Sequence, residues 1–230
     1  MQPMFLPWGG FFYLIKKSDK FIFLTQTKLE KNSWQTKNKI LSNKKIANLI
    51  LPIKGSRLQK ICNAKIDENI NWRRKISNTL MQSYSNHPFG KKITEILTNV
   101  INDKNIVTLK ELNISLIKVI CNYLDMKFNF ELDSDFTFKG KKSEKLKNIC
   151  NYFNSKHYIS PSGSREYIEN ENILNKAKIN VFYLYQDKKL KYDQFKNLLF
   201  VDNLSIIDII ANIGPVNTNK FLEKKFKLIK

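Results

Sequence analysis

The chain has 230 residues, 42% of them hydrophobic and 26% charged, an ordinary balance for one globular domain large enough to bury a core. Its 40 basic residues against 20 acidic ones give a formal charge of +20, a field that attracts nucleic acid, anionic lipid or a phosphorylated substrate. Cys62, Cys121 and Cys150 form no CxxC pair and have no His close by, which argues against a disulfide framework and a zinc site and fits a reducing cytoplasm.

The basic residues are 36 Lys and only 4 Arg (Arg57, Arg73, Arg74 and Arg165). Lysine is a point charge on a flexible stem, whereas arginine forms bidentate contacts, so the few arginines carry more information about specific recognition. Much of the lysine charge reads as solvated surface.

In chain order, the apolar run from Met4 to Ile15 comes first. No Lys precedes it, Pro7, Gly9 and Gly10 interrupt it, and it falls short of the roughly 20 residues that span a bilayer. A soluble, cytoplasmic protein with no integral membrane segment is therefore expected. Lys20 to Thr25 reads as a buried strand, Lys39 to Ile53 as two strands about a turn at Ser42 to Lys45, and Leu58 to Ile66 as a further strand.

The period then becomes helical. Trp72, Ile76, Leu80 and Tyr84 predict one helix, and Phe89, Ile93, Ile96, Leu97 and Val100, after Pro88, a second. A third opens on the capping-box pair Thr108 and Glu111. Gly140 to Lys147 reads as a loop entering a helix, with residues 139–143 as a subdomain hinge. Short strands follow at His157 to Ser160 and Ile179 to Leu184, then an apolar helix from Leu204 to Ile213, stopped by Gly214 and Pro215. The closing LEKKFKLIK reads as an amphipathic helix or a frayed tail. Together these predict a single α/β domain over 1–230, with a mixed or mainly parallel Rossmann-like sheet, flanking helices and a helical middle segment.

Two Gly/Ser/basic loops after predicted strands suit an anion or a sugar hydroxyl. One is Lys54-Gly55-Ser56-Arg57; the other is Ser162-Gly163-Ser164-Arg165, followed by Tyr167. Ordinary solvated or capped turns account for both equally well. Trp34, Gln35, Lys37 and Asn38 offer an aromatic face, amides and a cation, the equipment for a sugar ring or a base. Asp208, set among isoleucines, reads as a buried carboxylate that is either a structural partner or a general base. His157, beside the serine loop, is the other candidate for proton transfer. No nucleophilic triad or metal cluster is visible, and neither metal nor cofactor is expected.

The ordered set MQPMFLPWGGFF, SDKFIF, WQTKNKI, LPIKGSR, NWRRK, SPSGSREYI, YDQF and LSIIDIIANIG resembles the WbqC-like protein family over essentially the whole chain. The pattern QPxFxPWxGYF falls on Gln2, Pro3, Phe5, Pro7, Trp8, Gly10 and Phe12, with Phe11 in place of Tyr. Thr25 stands where an acid is usual, and Lys37 where Arg is usual before Asn38. The YxQF pattern falls on Tyr192, Gln194 and Phe195. Family members carry a strand's length of apolar residues ahead of the QP pair; here Gln2 follows directly on Met1, so either that strand is missing or the start lies further upstream.

The resemblance implies a transferase of surface-polysaccharide (O-antigen type) assembly, passing an acyl or aminoacyl group to an amino sugar on a nucleotide or lipid carrier, with aminoacyl-tRNA as one donor. On that expectation Lys54, Arg57 and Arg165 bind phosphate, Trp8 or Trp34 stacks on the ligand, Gln2, Asn38 and Gln194 orient polar groups, and His157 or Asp208 moves the proton. Ser56, Ser162, Gly163, Ser164, Tyr167, Lys37 and Tyr192 complete the expected lining. The rival expectations are a non-catalytic RNA- or polyanion-binding protein and a structural partner in a glycan-assembly complex.

Overall fold

A computed structural model of the chain describes residues 1–30, 33–55, 59–195 and 199–230. The N-terminal apolar run turns into a loop and then helix α1 (Gly9–Lys16), of which every residue but Lys16 is buried. A helix that is apolar all round must be surrounded, so α1 sits inside the main core rather than on its surface. Strand β1 (Phe21–Phe23) follows. The hairpin of β2 (Lys37–Ser42) and β3 (Lys45–Ile50) turns on Asn43 and Lys44, whose positive φ values of 49° and 63° suit a two-residue connection.

The strand expected over Leu58 to Ile66 does not form. Leu58 lies outside the described residues, Ile61–Asn63 is a single 3-10 turn, and isolated bridges (Lys28 with Lys60, Ile53 with Ile66) replace a ladder. Its backbone is satisfied irregularly: the Ile61 and Cys62 N–H groups donate to the carbonyls of Thr27 and Thr25.

The helical middle is α2 (Trp72–Tyr84), α3 (Gly90–Asn102) and α4 (Leu109–Tyr123); α2 buries its whole predicted stripe, whereas in α3 Ile93 and Leu97 are buried, Ile96 and Val100 only partly, and the preceding Phe89 is 43% exposed. Both bonds of the Thr108–Glu111 capping box form, at 3.2 Å each. Strand β4 (Phe130–Leu132) then pairs parallel with β1.

Helix α5 (Lys142–Tyr152) and strand β5 (His157–Ser160) lead to α6 (Arg165–Glu171), α7 (Ile173–Lys176) and β6 (Asn180–Gln186), which pairs parallel with β5. A second, smaller core forms here around Leu146, Cys150, Ile168, Leu174 and Tyr183.

Helix α8 (Ile206–Lys225) is two helical stretches joined at Gly214, so the first ends where Gly214 and Pro215 predict a stop. Gly214 does break the helical geometry, with φ 75° and ψ 172°, but Pro215 then starts a second stretch on the same run. The Phe89 ring packs so close that a Cβ on Gly214 would lie 2.9 Å from it. The chain ends in strand β7 (Phe226–Ile229), antiparallel to β6, rather than in a helix or tail.

The fold is mixed α/β with parallel pairs, as expected, and among the described residues the strands fall into three small sheets: β1–β4, β2–β3 and β5–β6–β7. No described helix is long and apolar enough to cross a membrane.

Candidate functional site

Three segments distant in sequence are laced together at one end of the main core. The Phe5 N–H donates to the Trp34 carbonyl, the Ser205 N–H to Lys39, and the Ile206 N–H to Pro7. The Asn38 side-chain amide donates to the carbonyls of Phe5 (3.0 Å) and Leu6 (2.6 Å), and Asn113, fully buried in α4, bonds Pro3 and Gln35. A proline-shaped loop cannot satisfy its own carbonyls, so these amides hold it.

The lacing leaves a cavity of about 310 Å³ lined by Met4, Trp8, Trp34, Asn38 and Asn203. Trp34 is 46% exposed, uncommon for so large an apolar side chain, and Lys39 Nζ lies 6.0 Å from its ring. Trp8 packs edge-on against Phe226 at 5.4 Å and covers the first turn of α1. That arrangement requires Gly10, where a Cβ would lie 2.3 Å from the indole. Two tryptophans around one apolar cavity can stack on a sugar or base, with Asn203 at its polar edge; Asn38 fixes the wall, its amide being committed to the Phe5 and Leu6 carbonyls and the Lys39 N–H.

Behind this cleft lies Asp208, fully buried in the first turn of α8. Its Oδ1 accepts from Tyr84 Oη at 3.0 Å; its Oδ2 accepts from Tyr192 Oη at 2.5 Å and Gln194 Nε2 at 3.0 Å. Burial pushes the Asp208 carboxyl above its usual value, opposed by those hydrogen bonds. Burial, with the Asp208 charge beside them, also holds the Tyr84 and Tyr192 phenols well above theirs. Tyr84 Oη further accepts from the Leu41 N–H, so the cage ties α2, β2 and α8 together. The carboxylate is saturated by donors and has a structural surrounding.

A second carboxylate lies nearer the mouth. Trp8 and Asn203 also line a narrow crevice that contains Asp202 and Lys225. The Asp202 side chain is 34% exposed; its Oδ2 accepts from Gln186 Nε2 at 3.1 Å and lies 3.6 Å from Lys225 Nζ. Lys225 itself is 2% exposed and donates to the Leu190 carbonyl at 2.6 Å.

Among the expected site residues, the structure brings Trp8, Trp34 and Asn38 to the cleft, with Lys37 beside Asn38 on β2, and places Tyr192, Gln194 and Asp208 in the network behind it. Gln2 lies one step off, accepting from the Gln35 amide and donating to Thr27. Others lie elsewhere. His157 lines a different groove, Lys54 is exposed in an open turn, and Ser162, Gly163 and Ser164 form a 3-10 turn that lines neither cavity. Arg165 pairs with Glu169 at 2.7 Å and lies 5.0 Å over the Tyr183 ring, and Tyr167 is half-buried. Ser56 and Arg57 lie outside the described residues.

The sequence reasoning missed Met4, Lys39, Asp202, Asn203 and Lys225. Only Asn203 carried a local signal: a polar DN pair before the capped start of α8, here with φ 57°. The acid absent at Thr25 is supplied from elsewhere: Asp133 accepts from the Thr25 N–H (2.6 Å), Thr25 Oγ1 (2.9 Å) and the Gln26 N–H (3.1 Å).

A family model described as the WbqC-like protein family matches residues 2–220. The chain is also similar to an uncharacterized protein of Mycobacterium tuberculosis, 27% identical over 218 residues that span 93% of this chain and 92% of that protein. No solved structure matches the chain.

Proposed function

The chain belongs to the WbqC-like protein family, and on that premise we propose that it is a cytoplasmic transferase of surface-polysaccharide assembly that seats an amino sugar, carried on a nucleotide or lipid phosphate, in the Trp8–Trp34 cleft. The observation that carries this reading is the convergence of two tryptophans from separate segments, with Asn38 and Asn203, on one cavity of about 310 Å³. Such a pocket gives a ring two apolar faces and leaves its hydroxyls to Asn203, with Asn38 holding the wall in place. Lys39, whose Nζ lies 6.0 Å from the Trp34 ring, offers a cation for a carrier phosphate.

The reaction is attack of the sugar amine on an acyl or aminoacyl carbonyl: a C–N bond forms, the bond from the carbonyl to the donor's leaving group breaks, and the amine loses a proton. Asp202, partly open at the crevice beside Trp8, suits the proton acceptor better than Asp208, whose oxygens are already occupied.

The test is mass spectrometry of nucleotide-linked amino sugars incubated with acyl-thioester or aminoacyl-tRNA donors. The expected result is a mass increase equal to the acyl group with wild type, and its loss in Asp202→Asn. No product with any donor, although the sugar nucleotide binds, would leave a binding protein rather than a transferase. The +20 charge supports the tRNA donor. Retention of tRNA at low salt that falls steeply by moderate salt is the outcome expected for it, and no retention at low salt removes that donor.

A further inference from the structure

Between Glu30 and Asp67 the sequence has no acidic residue but eight Lys and one Arg, and the β2–β3 hairpin lies within this stretch. Residues directly opposite each other in a hairpin share a face. The register Lys37 with Ile50, Lys39 with Asn48 and Leu41 with Ile46 therefore sets one face, and the alternate residues Asn38, Ile40 and Leu49 turn into the core. On the first face Leu41 is covered, but Ile50 is 60% exposed and Ile46 51%. Trp34, itself half open, belongs to the same side, its ring 6.0 Å from Lys39 Nζ. Three large apolar side chains thus stand open on one short hairpin, the mark of a surface that meets a partner.

The charges say what that partner is. None of Lys37, Lys39, Lys44 and Lys45 has an ion-pair partner among the described residues, and Lys44 and Lys45 carry the positive field to the exposed turn. A second copy would bring like charges together. A nucleic acid would use the lysines and stack on the indole, but it gives isoleucine tips nothing to bury against. An anionic bilayer suits all three kinds of side chain: aliphatic tips enter the acyl boundary, tryptophan lies at headgroup level, and lysine stems reach the lipid phosphates.

We propose that the outward face of the β2–β3 hairpin, with Trp34 beside it, docks the protein on an anionic membrane surface. Binding of this kind grows with the apolar area buried and with the attraction of basic groups to anionic lipid, and it needs no spanning helix. Trp34 also lines the tryptophan cleft, so docking holds the mouth of that cleft at the headgroups. On the amino-sugar reading, on which this last step alone rests, the carrier reached from there is a lipid phosphate.

The probe is a set of sucrose-loaded vesicles, phosphatidylcholine alone or with roughly one-third phosphatidylglycerol, sedimented with the full chain in moderate salt and with no sugar present. Wild type should sediment with the anionic vesicles and stay in solution with the neutral ones. The double variant Ile46→Ser/Ile50→Ser should bind at least ~10-fold more weakly, and so should Lys39→Glu/Lys44→Glu. Lys156→Glu/Lys176→Glu reverses two exposed lysines beside the smaller core; it has the same net charge as the hairpin variant and should lose no more than ~3-fold. The isoleucine and lysine pairs report independently, so if one fails to fold by circular dichroism the other still decides. No binding to anionic vesicles would overturn the proposal, as would full binding by the isoleucine variant. Equal loss in the two charge-reversed variants would also overturn it, because the attraction would then belong to net charge rather than to this face. Loss of tRNA retention with vesicle binding kept would give the face to RNA, and a wild-type dimer dissociated by the isoleucine variant would give it to a second copy; either result overturns it too. With no sugar in the assay, failure here leaves the amino-sugar reading standing, and failure of that reading leaves vesicle binding unchanged.

Discussion

Asp208 and Asp133 are both buried to 1% exposure or less, and each joins segments more than 100 residues apart, yet the two are compensated in opposite ways. Asp208 is met by neutral donors, two phenols and an amide. Asp133 is met by backbone N–H groups, the Thr25 hydroxyl and a cation, Lys145 Nζ at 2.5 Å. A buried carboxylate must be paired or hydrogen-bonded, and both solutions meet that demand. Their consequences differ. The neutral cage lets burial dominate and raises the Asp208 carboxyl. The Lys145–Asp133 pair lies where β1 ends and α5 begins, close enough to the Met1 amine to act on its charge. One carboxylate is held by neutral donors, the other by an ion pair and backbone.

The comparison breaks if the two carboxylates respond alike to removal. Asp208→Ala leaves the two phenol donors unpaired in a dry interior, while Gln194 keeps its bond to the Val201 carbonyl, at a cost of about 3–5 kcal/mol, read from the denaturant midpoint at unchanged slope. Asp133→Ala should cost less, about 2–3 kcal/mol, because the Lys145 side chain is 17% exposed and can turn to water. The reverse order would show that the cation, not the phenol cage, is the stronger tie. Tyr192→Phe removes one donor of the cage and should cost about 1–2 kcal/mol, with near-ultraviolet dichroism otherwise native.

The pH dependence sharpens the same contrast. The folded Asp208 carboxyl lies above its reference value of 3.8, so its contribution to stability is full below that value and is lost as pH rises through the folded one. Asp208→Asn removes this loss. Its stability curve should therefore be flatter than that of wild type from pH 3.8 upward, and parallel curves would contradict the raised carboxyl. The smallest effect on stability belongs to Trp34→Ala: because Trp34 is 46% exposed, unfolding should shift by no more than about 0.5 kcal/mol.

What the sequence made legible was local. Helices α2 to α4, the capping box at Thr108 and the hairpin turn at Asn43-Lys44 follow from short-range periodicity and turn chemistry, and all form. The failures are long-range. The last residues pair with β6 because that strand offers an edge 40 positions earlier in the chain, which no local pattern reveals. Gly214-Pro215 does stop the first stretch of α8, but the pair itself does not reveal the second stretch that Pro215 opens and that runs to Lys225.

The candidate site was half visible. Trp34 and Asn38 stand out for their chemistry and Trp8 through the family resemblance, and all three line one cavity. Asn203, Asp202 and Lys225 reach that neighbourhood only through the bridge between Trp8 and Ser205 and the long run of α8. The serine loop at Ser162 to Ser164 had composition suited to an anion but faces neither cavity.

The most direct test of the amino-sugar cleft is a calorimetric titration of wild type and Trp34→Ala with a uridine-diphosphate-linked amino sugar. Saturable one-to-one binding by wild type, weakened at least ~10-fold in the variant as stacking is lost, is the predicted result. Equal affinity of the two proteins, or no binding by the folded wild type, would contradict it.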